Sequence, residues 1–182
     1  MEFTNIDKNL NNGQNMGGIA QVCYYAKWED VASWPTVPST PATIEDNGVL
    51  TGSIAMKAGK QMFSIYITDD AGEFEIEPVG EKDGKSFVTH LRLFNPGLKK
   101  KILGFMNWAK NENLVFIVKD NDGQLYLMGD ATRPATYEGA PNGSGTSMET
   151  AGRRGISMEF VYKTANLYAY VGDIPLTAAA SV

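Results

Sequence analysis

The feature that most narrows what this chain can fold into is a strict two-residue alternation of apolar and polar side chains, repeated in separate stretches. Phe63, Ile65 and Ile67 fall on one side of a strand, with Ser64, Tyr66 and Thr68 on the other. Phe74 and Ile76 alternate with Glu73, Glu75 and Glu77. Ile156, Met158, Phe160 and Tyr162 alternate with Ser157, Glu159, Val161 and Lys163. Period two is the signature of a half-buried strand, because successive side chains of extended backbone point to opposite faces. The chain is therefore expected to be mainly β.

Turn chemistry divides these stretches. Asp69-Asp70-Ala71-Gly72 and Glu81-Lys82-Asp83-Gly84-Lys85 read as hairpin turns, so residues 49–94 form an antiparallel meander in which Phe87, Leu91 and Leu93 share a face. Asp120-Asn121-Asp122-Gly123 joins strands at 114–119 and 124–129; it lacks the twelve-residue spacing and closing glutamate of a calcium loop. Residues 19–26 read as a first strand, and 167–171 as a short last one. Between 27 and 48, Pro35, Pro38 and Pro41 oppose both helix and sheet ladder, leaving a long connection that holds Trp28 and Trp34.

One segment has helical spacing. Leu98, Ile102, Phe105 and Ala109 recur on one face, with Lys99, Lys100, Lys101 and Lys110 elsewhere, and Asn95-Pro96 reads as an N-cap followed by the first helical residue. A helix over about 96–110 is expected, with its lysines a solvated face. The total is eight or nine strands and one helix, an antiparallel β-sandwich or barrel with one packed helix. Residues 1–18, rich in Asn and Gly, read as a flexible arm, 19–175 as the single domain and 176–182 as a tail. The Gly, Ser and Thr of 139–155 read as a mobile loop.

At 182 residues the chain can bury one core. Its net charge of −5 argues against a general nucleic-acid surface, though not against an acidic wall that repels a polyanion. Cys23 is the only cysteine, so no intramolecular disulfide forms. No apolar run approaches the roughly 20 residues of a membrane span, and residues 1–7 lack the pattern of a secretory signal. The chain is expected to fold in a reducing cytoplasm, where the sequon at Asn142 carries no sugar.

Catalytic patterns are weak. His90 is the sole histidine and sits mid-strand, and no Gly-x-Ser-x-Gly elbow accompanies it. Gly143-Ser144-Gly145-Thr146 is not followed by the Lys-Ser or Lys-Thr of a phosphate loop. Glu73, Glu75 and Glu77 are spaced about 7 Å apart along one face, as a glycosidase pair would need, but a solvent-facing side is the simpler account. No metal, cofactor or enzymatic activity is expected.

Three segments, in order, resemble the tail-tube proteins of bacteriophages, in particular tube-like proteins from phages of Bacteroidetes-type hosts. They are Gly17-Gly18-Ile19-Ala20-Gln21-Val22 with Trp28-Glu29-Asp30-Val31, the hairpin from Leu114 to Gly129, and Gly143-Ser144-Gly145-Thr146 with Gly155-Ile156-Ser157-Met158-Glu159-Phe160. Together they span residues 17 to 163. Where tube subunits often carry an Asp-Arg-Asn-Gly-Tyr-type run, this chain reads Ala151-Gly152-Arg153-Arg154-Gly155-Ile156, which leaves a connector, ring or secretion-tube subunit open beside a main tube subunit.

The resemblance implies a virion protein that assembles with itself into rings, usually hexamers, which stack around a lumen through which DNA passes without specific binding. Other tail or connector proteins would be its further partners. Glu73, Glu75 and Glu77 become the candidate lumen lining, and Met16, Trp28, Trp34 and Tyr137 the candidate contacts between subunits. The segments 1–18, 33–48 and 139–155 would serve stacking. The competing expectation is a monomeric β-sandwich that binds carbohydrate through Trp28, Trp34 and Tyr137.

Overall fold

The computed structural model describes residues 1–6, 16–140, 143–146 and 152–180. In chain order the strands are β1 (Val22–Lys27), β2 (Val31–Ser33), β3 (Val49–Leu50), β4 (Ala55–Met56), β5 (Phe63–Tyr66), β6 (Glu73–Val79) and β7 (Ser86–Pro96). Helix α1 (Lys100–Ala109) follows, then β8 (Leu114–Lys119), β9 (Leu125–Met128), β10 (Thr136–Gly139), β11 (Gly145–Thr146), β12 (Arg154–Thr164) and β13 (Ala169–Tyr170). The expected eight or nine strands become thirteen among the described residues, because short strands form where the sequence reads as connection.

The strands make three sheets. The first has the order β3-β13-β9-β8-β1-β5, the second β10-β12-β7-β6 with β11 added on β12, and a third pairs β2 with β4. Among the described residues no barrel closes, and the first two sheets keep free edges. The protein is mainly β, with antiparallel pairing dominant and β13–β3 parallel.

Strand β8 explains the layering. Val115, Phe116, Ile117 and Val118 are all fully buried, which requires cover on both faces. Phe116 and Val118 pack with Cys23, Leu91, Leu93, Met158, Phe160 and the α1 residues Ile102 and Ala109 between the two large sheets. Val115 and Ile117 face the other way, onto Ile54, Met56, Met62 and Tyr170. The first sheet is thus a middle layer, with the second sheet on one side and the 31–62 region on the other.

Several local expectations hold. The turn at 81–85 does join β6 to β7, and the turn at 120–123 joins β8 to β9. Ile156, Met158, Phe160 and Tyr162 all enter the core. Ile65 and Ile67 are buried, although Phe63, of the same parity, stands half exposed at the sheet edge.

Others need correction. Residues 69–72 do not make a hairpin: β5 pairs with β1 and β6 pairs with β7, so the chain passes here from one sheet to the other. Gly72 sits so close to Ile19 at this crossing that a Cβ there would lie 2.6 Å from Ile19 Cγ1, leaving room for no side chain. The helix begins later than expected. Asn95 and Pro96 stay in β7, opposite Ile156 and Gly155, and the Asn95 amide donates to the Tyr66 carbonyl at 2.8 Å instead of capping. Lys99 takes the cap position without a side-chain bond, after a turn at Gly97 with φ of 86°. The stretch 27–48 is not bare connection: it holds a 3₁₀ turn at Trp28–Asp30, β2, and a second turn at Asp46–Gly48. The first strand starts at Val22, Ile19 making an isolated bridge to Asp120.

The proposed arm is fastened at both described ends. Glu2 N–H donates to Ala42 O at 2.7 Å and Glu2 O accepts from Ile44 N–H at 3.0 Å. Asn121 donates to Gly17 O at 2.7 Å. Residues 7–15, and residues 141–142 and 147–151 of the 139–155 loop, lie outside the described residues. In that loop β11 pairs with β12, and Ser144 Oγ donates to Ser157 O and accepts from Ser157 N–H. In the 176–182 tail, Ala179 bridges Ala58.

Candidate functional site

The second sheet presents one face to the core and the other outward. On β6, Glu73, Glu75 and Glu77 lie on the outward face while Phe74 turns in to stack on Tyr126, ring centroids 4.9 Å apart. Register sets what the glutamates meet. Glu73 is opposite Arg92, Glu75 opposite His90, and Arg92 is opposite Glu159 on the far side. Arg92 Nη1 donates to Glu73 at 2.8 Å and Glu75 at 2.7 Å, and its Nε to Glu159 at 3.0 Å. His90 lies 2.9 Å from the same Glu159 oxygen and 3.5 Å from Glu77.

The three glutamates are therefore not a bare row of charge. They are drawn over a guanidinium and an imidazole, and a fourth carboxylate from β12 joins them. The hydrogen bonds it donates to Glu73, then Glu75, raise the Arg92 pKa further above its already high range, against a smaller opposing effect of burial. His90 occupies the sheet's outward face as its mid-strand position implied. Sequence reasoning missed Arg92 and Glu159. Their alternation with neighbours is visible, but the pairing of β6, β7 and β12 that brings them together is not.

Among the described residues both edges of this sheet are free: β6 pairs only with β7, and β10 only with β12. Along β6 the unpaired side runs through Glu73–Val79, with Pro78, which has no N–H, near its end.

Where β6 passes beyond the cover of the first sheet, a cleft of about 760 Å³ opens between the layers. Its walls include Ile76, Leu127, Trp34 and Tyr168, and its rim carries Asp130 and Arg133. No residue of α1 lines it. Asp130 organises one end: its carboxylate accepts from Thr132 N–H and Oγ1 at 2.6 Å, Arg133 N–H at 2.8 Å and the Tyr162 hydroxyl at 2.7 Å. Burial acts to raise the Asp130 pKa, but these hydrogen bonds outweigh it and hold the carboxyl below its usual range. The Tyr162 phenol is pushed upward, chiefly by burial.

The other candidate residues are dispersed. Trp28 Nε1 donates to Asp130 O at 2.7 Å, and its ring lies 6.3 Å from that of Trp34. Tyr137 packs edge-on to Phe160 at 5.7 Å. These three aromatic side chains are half buried within the subunit, and only Trp34 reaches the cleft. Met16 is exposed, its N–H donating to Asp122 at 3.1 Å. Cys23 is fully buried, and burial raises its thiol pKa far above the usual range. Among the described residues no group of three or more His, Cys, Asp or Glu is placed to hold a metal ion, and no helix is long and apolar enough to cross a membrane.

No protein-family model, no curated protein and no solved structure matches the chain.

Proposed function

We propose that the chain is a structural subunit that assembles with itself into rings, stacked as a hollow tube of the phage tail-tube kind. The observation that carries this reading is the β10-β12-β7-β6 sheet, with an apolar inner face, the Glu73, Glu75, Glu77, Glu159, His90 and Arg92 cluster on its outer face beside the buried Val88 and Val161, and edges unpaired among the described residues. An open edge of seven residues is a template for another strand, and pairing β6 of one subunit with β10 of the next removes both edges at once. Repetition around an axis makes a continuous sheet with the outward face turned to the lumen; six subunits is the number the resemblance implies.

On that face Glu73, Glu75, Glu77 and Glu159 stand against Arg92 and His90. The balance is acidic, which suits passage of DNA without adhesion. No catalytic role is assigned. Electron microscopy of negatively stained protein over a range of concentrations tests the reading. Rings or hollow tubes are expected, with short stacks favouring a connector or ring subunit over a main tube. A monomer at every concentration would overturn it and favour a binding module built around the aromatic cleft.

A further inference from the structure

Two apolar surfaces of this chain lack a partner, and they are complementary. The first is the cleft. Residues of β6 with the parity of Phe74 point inward, and Phe74 is capped by Tyr126, but Ile76 is 40% exposed. An inward-facing isoleucine of a sandwich sheet is normally covered by the opposing layer. Here the opposing layer stops short, leaving the space of about 760 Å³ beside Ile76, Leu127 and Trp34.

The second is the segment 1–6. Its backbone is fastened at Glu2 between Ala42 and Ile44, which makes it an anchored tab. Phe3 is 76% exposed and Ile6 86%, the two most exposed large apolar side chains among the described residues. Water-facing Phe and Ile on an anchored ribbon mark an interaction surface. Charge agrees with shape. The Arg133 guanidinium at the cleft rim and the Glu2 carboxylate of the tab are both exposed, and neither has an ion-pair partner among the described residues.

The geometry points to the occupant: the 1–6 segment of a second copy of this chain, which inserts Phe3 and Ile6 over Ile76 and Leu127 and brings Glu2 to Arg133. Tab and cleft are different patches of one surface, so the contact is heterologous. It leaves one tab and one cleft free after each addition, and it propagates head to tail into a ring or a filament. This rests on the self-assembly reading and adds to it a joint distinct from strand pairing.

The test mixes two full-length variants, Ile6→Cys carrying an affinity tag and Ile76→Cys without one, under mild oxidation. Cys23 is fully buried and does not compete. A disulfide-linked dimer of the two variants is expected, and none when Lys110→Cys replaces Ile76→Cys. A Phe3→Asp/Ile6→Asp variant, altered only at exposed positions, keeps the fold by circular dichroism and needs at least about tenfold more protein to assemble. If the unsubstituted chain assembles while the cross-link fails and the aspartate variant assembles equally well, the tab contact is overturned and the self-assembly reading stands. If the unsubstituted chain stays monomeric and no cross-link forms, both fall.

Discussion

Phe74 and Tyr126 stack with centroids 4.9 Å apart and planes inclined by 24°, one ring from each large sheet. This pair ties β6 to the middle layer beside the cleft; past it, the sheets diverge. Replacing Phe74 with Ala removes a half-buried ring and its stacking partner, and is expected to lower stability by about 2–3 kcal/mol. A double-mutant cycle with Tyr126→Ala in urea denaturation should return a coupling of about 0.5–1.5 kcal/mol; additivity would show that the stack holds nothing together.

Arg92 is the cation common to three carboxylates. In Arg92→Gln, Glu73, Glu75 and Glu159 lose the cation they share, so the melting temperature should fall. Because the loss includes repulsion between partly exposed charges, it should shrink on going from low salt to about 1 M salt, where the screening length is roughly 3 Å. A deficit unaffected by salt would point to lost packing of the arginine stem instead.

Asp130 predicts an acid response. Its folded pKa lies below the ordinary carboxylate value of about 3.9, so its hydrogen bonds stabilise the fold above that value. The contribution is lost as pH falls through the folded pKa. In Asp130→Asn the melting temperature should be lower than that of the unsubstituted chain at pH 6, and the gap should narrow as pH falls below about 3.9. A gap independent of pH would refute the assignment.

Two glycines should respond oppositely to alanine. A Cβ on Gly155 would run into the Asn95 carbonyl and the Phe94 ring, with backbone fixed by pairing on β12 and β7. Gly155→Ala should destabilise by about 1–3 kcal/mol. Gly104 lies in α1 with nothing within 4 Å of its would-be Cβ, and Gly104→Ala should stabilise by about 0.5–1 kcal/mol. Thermal melts of both variants decide the point.

What could be read in the sequence was what short-range physics determines. The 156–163 alternation placed Ile156, Met158, Phe160 and Tyr162 in the core, although Ser157 and Val161 of the other face are buried too, and the helical spacing of Ile102 and Ala109 placed α1's buried face. Asp120 to Gly123 turned the chain as its residue types require. Residues 69–72 have similar chemistry but lead into a different sheet, because β5 pairs with β1 and β6 with β7, partners that lie far from the turn in sequence. Asn95 and Pro96 look like a helix start, yet pairing with residues some sixty positions later keeps them in β7. The Arg92 cluster depends on the alignment of three strands, and the cleft on an opposing layer that ends early; neither is written in any one segment.

Strand β13 has a consequence in time. It lies between β3 and β9, pairing with Val49–Leu50 on one side and with Tyr126 and Leu125 on the other. On a ribosome the middle layer therefore stays a strand short, and Val49–Leu50 has no neighbour in it, until residues 169–170 have emerged. Tyr170 then brings its hydroxyl to the Ile54 N–H at 3.0 Å and closes the second core. A nascent chain cannot complete this layer before residues 169–170 are available, however early β1, β8 and β9 pair with one another.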